Sequence, residues 1–337
     1  MNDRELISFI QNAINSNKSE LVISEFSLNE HLENELLFFF KPECFKNNDP
    51  DFIETLFNMV FDKFKRFDVE ISKVLLLDGK RLKELSIMDQ HYGLINKLSR
   101  SASKLLSDDE LQKIQQSLNI SISGKYRILG GHEFMTEFTE FDEKSLKELW
   151  FTKKPLKLRS GFYYHKYNFN NENIILINGF HPDQLLHFTN SKHRIVLLLL
   201  QSNTDWKLLK NDLVGNTFPE KAEKQSIRGE LYRNNKKYGI ENVSISSNCV
   251  HLSAGPFEAL FEIDNFLKNL NVIKYNLNMT NMYRLMTENQ ITKEIIKRCL
   301  LNPVSQINNK LIDLFTFTED KNSLHAISDY LEYFTGN

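Results

Sequence analysis

Asn248-Cys-Val-His-Leu-Ser253, with Gly255-Pro256 and Glu262-Ile263 close behind it, is the stretch that decides how this chain is read. Asp212-Leu-Val-Gly-Asn-Thr-Phe-Pro219 and Ser226-Ile-Arg-Gly-Glu-Leu231 precede it. His251 stands just before a Gly-Pro helix start, and Glu262 lies inside the helix expected to follow. A histidine that accepts a phosphoryl group must be neutral, so that one ring nitrogen can attack. A carboxylate on the other ring nitrogen fixes tautomer and orientation. Cationic and amide donors must hold the phosphates and spread the charge of a loose transition state. Arg228 offers a bidentate grip on phosphate, and Thr217, Asn248 and Ser253 add short polar groups. Spacing alone does not prove that these side chains converge.

Outward from this stretch, residues 205–250 show little periodicity and read largely as loop. Arg194 to Gln201 is a strand with almost no polar residue, expected to be central and covered on both faces. Pro182 to Phe188 suits a short helix. Gly161 to Phe169 and Asn173 to Ile177 read as two strands, with a hairpin turn at Asn170-Asn171. Asp142 caps a helix over 143–150. Tyr126 to Phe134 alternates enough for a strand, Asn119 to Gly124 is a polar break, and 88–116 read as helical. Ile71 to Leu77, ending in Asp78-Gly79, reads as a buried strand.

Residues 1–67 read as mostly helical. Pro50, after the cap Asp49, opens a helix in which Phe52, Ile53, Leu56, Phe57, Val60, Phe61 and Phe64 recur at helical spacing. That stripe is a core face rather than a docking face. Downstream, the Gly255-Pro256 helix runs to about Leu270, and the chain looks helical from 276 to its end. Strands and helices in this order predict an α/β (α+β) protein, with a small sheet covered by helices.

The 337 residues suffice for two domains, or one with large additions. A hydrophobic share of 41% and a charged share of 26% are ordinary for a globular chain, and the net charge of −2 gives no bias toward nucleic acid or an anionic membrane. Ile195 to Leu200 is far short of the roughly 20 apolar residues a membrane helix needs. The start, MNDRELISFIQ, does not read as a secretory signal. Cys44, Cys249 and Cys299 have no metal-binding spacing, and an odd count points to reduced thiols and a cytoplasmic expectation.

The motifs resemble the nucleoside diphosphate kinases. That family's Leu-Gly-x-Thr-x-Pro loop looks like Val214-Gly215-Asn216-Thr217-Phe218-Pro219. Its Ile-Arg-Gly-acid is matched by Ile227-Arg228-Gly229-Glu230, its Asn-x-x-His-x-Ser by Asn248 to Ser253, and its later Glu-Ile and Phe by Glu262-Ile263 and Phe266. The resemblance implies a ferredoxin-type antiparallel sheet covered by helices. It makes His251 the phosphohistidine, Glu262 its orienting carboxylate and Ser253 an assisting hydroxyl. Arg228, Thr217 and Asn248 would contact the nucleotide, ATP or another triphosphate, with magnesium bridging its phosphates and no protein metal ligands.

The family's first strand ends in Lys-Pro-Asp-Gly, whose lysine binds phosphate; with 71–77 as that strand, Leu77-Asp78-Gly79-Lys80 makes Lys80 the counterpart. Asn211 stands where the family has an arginine, and Ala254 where it has an acid. The domain so delimited is 71–270, with a hairpin insertion at about 161–178. Helical segments at 1–67 and 271–337 flank it.

The expected activity is phosphotransfer from ATP through His251 to a small-molecule acceptor not restricted to a nucleoside diphosphate. Homo-oligomerisation is a further expectation from the family, and neither nucleic acid nor membrane is an expected partner. Two rivals stand beside it: a silent nucleotide-binding scaffold, favoured by the displaced lysine and Asn211, and a nucleotidyl transferase, which would yield AMP rather than ADP. A Cys249–His251 nucleophile pair and a metal site at His181, Asp183 and His187 are both disfavoured by the surrounding sequence. Arg233, Lys236 and Lys237 read as a solvated turn.

Overall fold

Leu36 to Phe40 is an unbroken apolar run, and it lies inside a strand that is buried along its whole length. The computed structural model describes residues 2–25, 28–121, 125–159 and 162–334. The chain divides into two compact units, residues 1–85 with 191–337, and residues 86–190. These boundaries differ from the expected ones, which set 1–67, 71–270 and 271–337 apart.

The first unit is built on helix α1 (Asp3–Ile14), strands β1 (Glu20–Glu25) and β2 (Asn34–Phe40), helix α2 (Pro50–Arg66), strands β3 (Val69–Asp78), β4 (Arg194–Ser202) and β5 (Val250–Leu252), and helix α3 (Pro256–Leu267). The strands form one sheet in the order β1-β3-β4-β2-β5, each neighbouring pair antiparallel. β4 is central and buried from Ile195 onward, as its lack of polar residues predicts.

Alternation along the strands gives the sheet two faces. Leu36, Phe38, Phe40, Val74, Leu76, Val196 and Leu198 join α1 and α2 in one apolar cluster. The phenylalanine stripe of α2 belongs to it: Phe57 is fully buried, with its ring 4.4 Å from that of Phe40. On the other face α3 packs on β2, where Phe39 and Phe266 have ring centroids 5.7 Å apart. A second apolar cluster joins Phe257 and Leu260 of α3 to Met282, Met286, Ile296, Ala326 and Ile327.

Several expectations are corrected. Residues 1–67 are not mostly helical, because β1 and β2 lie within them. A strand buried on both faces shows no alternation, so its apolar run cannot be told from a helix by period. The strand at 126–134 is only Arg127–Gly130, and helix Gly131–Glu137 follows with Gly130 in the cap position. Residues 205–250 contain helix Ile227–Arg233, capped by Ser226 Oγ. The region after 276 is interrupted by an antiparallel pair, Val304–Ile307 with Lys310–Asp313, turned through Asn308 and Asn309 at φ 49° and 62°.

Residues 86–190 carry their own sheet. Its strands lie in the order Arg127–Gly130, Glu172–Ile177, Phe162–Phe169, Leu156–Arg159. The expected hairpin is present, with Asn170 and Asn171 both at positive φ. Gly161, where its first strand was to begin, and residues 122–124 of the polar break lie outside the described residues. Asp142 caps helix Glu143–Trp150 as expected.

Candidate active site

His251 is the middle residue of β5 and pairs with Phe39 of β2. Their rings stack at 4.6 Å and 19°. Val250 and Leu252 turn into the apolar cluster of α1 and α2, so alternation sends His251 to the face covered by α3. There Glu262 meets it, with His251 Nε2 2.9 Å from Glu262 Oε1. The second carboxylate oxygen, Oε2, accepts from Ser253 Oγ at 2.5 Å. The same hydroxyl accepts the Leu37 N–H at 3.1 Å, and the buried Trp206 indole donates to the Ser253 carbonyl at 3.0 Å.

Glu262 and Ser253 are buried, while the His251 side chain keeps 19% exposure. An ionised Glu262 requires the proton on Nε2, which leaves Nδ1 with the lone pair that a nucleophile needs. Position along the helix makes this possible: α3 starts at a Gly255 whose hydrogen faces the Thr318 carbonyl, where a Cβ would stand 2.7 Å away. Glu258, one turn before Glu262, accepts the Ala254 N–H at 2.9 Å. Burial, and then the Glu262 charge, raise the Glu258 carboxyl well above its ordinary range.

Arg228 is also close by, but its hydrogen bonds run to backbone. Its Nη1 donates to the Gly215 carbonyl at 2.8 Å and its Nη2 to the Val250 carbonyl at 2.9 Å. The guanidinium thereby ties the loop of Gly215, at φ +95°, to the histidine strand. Among the described residues its buried Nε has no hydrogen-bond partner, and each terminal nitrogen keeps a second N–H. Burial lowers the pKa of this group to about 10. Asn248 is buried; its Nδ2 donates to the Thr217 carbonyl at 3.2 Å, which leaves the exposed Thr217 hydroxyl out of that contact.

Lys80 does not belong to this arrangement. It is exposed, and its amine lies 3.8 Å from Glu84 on the helix that follows β3. β3 and the histidine strand are separated by β4 and β2, and three strand spacings amount to ~14 Å. The lysine that does reach the corner is Lys41, which the sequence reading missed. It directly follows β2 and donates from Nζ to Asn248 Oδ1 at 2.6 Å, while its backbone N–H binds the Cys249 carbonyl at 2.8 Å. Burial lowers its pKa, against the opposing charge of Glu43. The signal was there in Phe40-Lys41-Pro42, a strand end followed by Lys-Pro, but it was hidden by the helical reading of 1–67.

The rejected readings also have positions. Cys249 does not share a face with His251: it precedes β5 at φ +69°, and its thiol is fully buried in the apolar cluster. Asp183 is held by Lys147 at 2.5 Å. Among the described residues, no helix is long and apolar enough to cross a membrane.

No family model matches this chain, and no curated protein sequence matches it. Among solved structures, a nucleoside diphosphate kinase from Pyrobaculum aerophilum overlaps 72% of this chain and 99% of its own, at 17% identity and a TM-score of 0.35. One from Encephalitozoon cuniculi overlaps 77% and 99%, at 10% identity and a TM-score of 0.32.

Proposed function

We propose that the chain is an ATP-dependent phosphotransferase that works through a phosphohistidine at His251, on a ferredoxin-type sheet of the nucleoside-diphosphate-kinase kind. A single observation carries the reading: a partly exposed imidazole whose Nε2 is fixed by a buried carboxylate, itself fixed by a buried hydroxyl. The strand order supports the fold. Without β1 it is β3-β4-β2-β5, in which the fourth strand returns to the edge beside the first.

The substrate is ATP together with the magnesium ion it carries. Nδ1 attacks the terminal phosphorus; an N–P bond forms, the bond to the bridging oxygen breaks, and ADP leaves. Glu262 holds the Nε2 proton and offsets the positive charge that develops on the ring. In the second half-reaction an acceptor oxygen attacks the same phosphorus and the N–P bond breaks. The acceptor is a small molecule bearing a phosphate or hydroxyl oxygen. Lys41 is bonded to Asn248 just before the histidine strand and Arg228 to Val250 within it, and we assign Lys41, Asn248 and the remaining N–H groups of Arg228, rather than Lys80, to the phosphates.

A nucleotide-binding module without turnover is the rival. The engagement of both Arg228 terminal nitrogens with carbonyls favours it. Intact-protein mass spectrometry after brief exposure to ATP and magnesium, at neutral or alkaline pH, separates the two. An acid-labile single-phosphate adduct, absent in His251→Ala, is expected. Lys41→Ala should slow its formation ~10²–10³-fold, the usual cost of one lost charge-stabilising donor, and Lys80→Ala should leave it within twofold. ATP binding with no adduct would sink the phosphohistidine and leave the module.

A further inference from the structure

Among the described residues, one strand pair is parallel: Arg127–Gly130 beside Glu172–Ile177, with Gly130 opposite Ile177. The two strands end side by side, and the space beyond the carboxyl ends of parallel strands is where such sheets hold their ligands. The chain leaving each end carries a histidine, His132 after Gly130 and His181 after Ile177. Gly131 and Pro182 bring the two segments into contact, since a Cβ on Gly131 would stand 2.8 Å from Pro182 Cδ. The two imidazole centroids lie 5.9 Å apart, with the rings at 72°.

His181 is fully buried, and among the described residues neither of its ring nitrogens has a hydrogen-bond partner. Gln184, on the same helix, is near enough to favour the charged ring slightly, without meeting hydrogen-bond geometry. A buried imidazole that has lost water and gained no partner is unfavourable until something binds it.

His132 is held on one side. Its backbone N–H donates to the buried Ser99 Oγ at 3.3 Å, and its Nδ1 lies 2.9 Å from the same oxygen. A hydroxyl oxygen has two lone pairs and accepts both, which puts the ring proton on Nδ1 and the lone pair on Nε2. Metal-bound histidines are oriented in this way. Burial, aided by the Arg100 charge, lowers both pKa values to about 4, so at neutral pH both rings are in the form that ligates. Asp89 acts on both rings with the opposite charge. Its Oδ1 takes the Asn96 Nδ2 bond at 2.7 Å and the Arg100 Nη2 contact at 3.3 Å.

We propose that His132 and His181 hold a zinc(II) ion, through Nε2 of the first and a ring nitrogen of the second, in a site within residues 86–190 that uses none of the residues around His251. Zinc bound ~2.0–2.1 Å from a ring nitrogen stands ~3.2 Å from the ring centroid, so two rings that share it lie up to ~6.4 Å apart. The 5.9 Å separation is within that span. The donors decide the class of ion: imidazole nitrogen suits zinc, whereas magnesium and calcium take oxygen ligands. Asp89 offsets part of the ion's charge, and the remaining tetrahedral positions fall to water.

Calorimetric titration of the full chain with zinc(II) chloride tests this, using wild type, His251→Ala, His181→Phe, His132→Gln and Ser99→Ala. His181→Phe keeps a ring in the buried place and removes two unpartnered polar atoms, so the variant should fold at least as well without zinc, as its unfolding midpoint will show. One tight zinc per chain should bind wild type and His251→Ala alike. Loss of a group that orients a metal ligand costs about 10–100-fold in affinity, the weakening expected for Ser99→Ala. His181→Phe and His132→Gln remove ligands themselves and should each weaken binding by more than ~100-fold. Zinc should raise the unfolding midpoint of wild type and leave that of His181→Phe in place. The proposal is overturned by any of three results: no stoichiometric zinc on wild type, unchanged affinity in either histidine variant of this pair or in Ser99→Ala, or loss of binding in His251→Ala, which would assign the ion to the other histidine.

Discussion

The two faces of the main sheet are made from the same strands and do opposite jobs. Toward α1 and α2 the strands present Leu36, Phe38, Phe40, Leu76 and Leu198, which join one apolar cluster. Toward α3 the same strands carry Glu35, Phe39 and His251, and the facing helix brings Glu258 and Glu262. The first face gains stability from burial. The second gives up some of that gain by holding carboxylates out of water, which is unfavourable unless each is hydrogen-bonded or keeps its proton. Carboxylates that costly, positioned against a partly exposed histidine, mark the face on which chemistry is to be sought.

The sharpest break between the faces is expected at Glu262. Glu262→Gln should slow phosphoenzyme formation roughly 10²–10⁴-fold, because the amide no longer enforces the Nε2 proton. Rapid-quench measurement of the adduct checks this. A rate unchanged within threefold would mean that the carboxylate is only a structural partner of His251 and Ser253.

Phe57→Ala is the mirror experiment. Removing a fully buried ring from the apolar face should cost about 3–5 kcal/mol in denaturant unfolding. The fraction that stays folded should form the adduct at the wild-type rate. Loss of transfer per folded molecule would mean that the faces are not independent.

The smallest effect concerns pH. Glu35 accepts the Asn281 N–H at 2.7 Å, and burial raises its pKa from an ordinary 4.5 to about 7. Between those values the folded protein holds a proton that the unfolded chain has released, so this group's contribution is lost as pH rises from about 4.5 through about 7. Glu35→Gln removes that dependence. The unfolding free energy of the variant should gain on that of wild type over this range, by up to about 3 kcal/mol. A constant gap between the two from pH 4.5 to 7 would show that Glu35 does not titrate there.

The histidine corner and Lys41 show how unevenly the sequence could be read. His251, Glu262 and Ser253 were legible because they fall within one short stretch, where a strand, a Gly-Pro helix start and a helix hold the contacts together. Lys41 was not, although its residues carry the Lys-Pro signal. Its partner Asn248 is 207 positions away, and only the pairing of β2 with β5 brings them together. Lys80 follows a strand that is easy to see in the sequence, but the end of a strand says nothing about which strand lies beside it. The motif of Arg228 points to phosphate, whereas its hydrogen bonds to Gly215 and Val250 depend on the folded chain.

By itself, then, the sequence determined the local elements whose period or caps are strong: β4 from its lack of polar residues, α2 from its phenylalanine stripe, and α3 from Gly255-Pro256. Tertiary structure alone decided the strand order, the place of β2 beside β5, and the contact of Lys41 with Asn248. The physical reason is range. Helical period, capping and turn chemistry act over a few residues, whereas strand neighbours are selected by burial and hydrogen bonding between segments far apart in the chain.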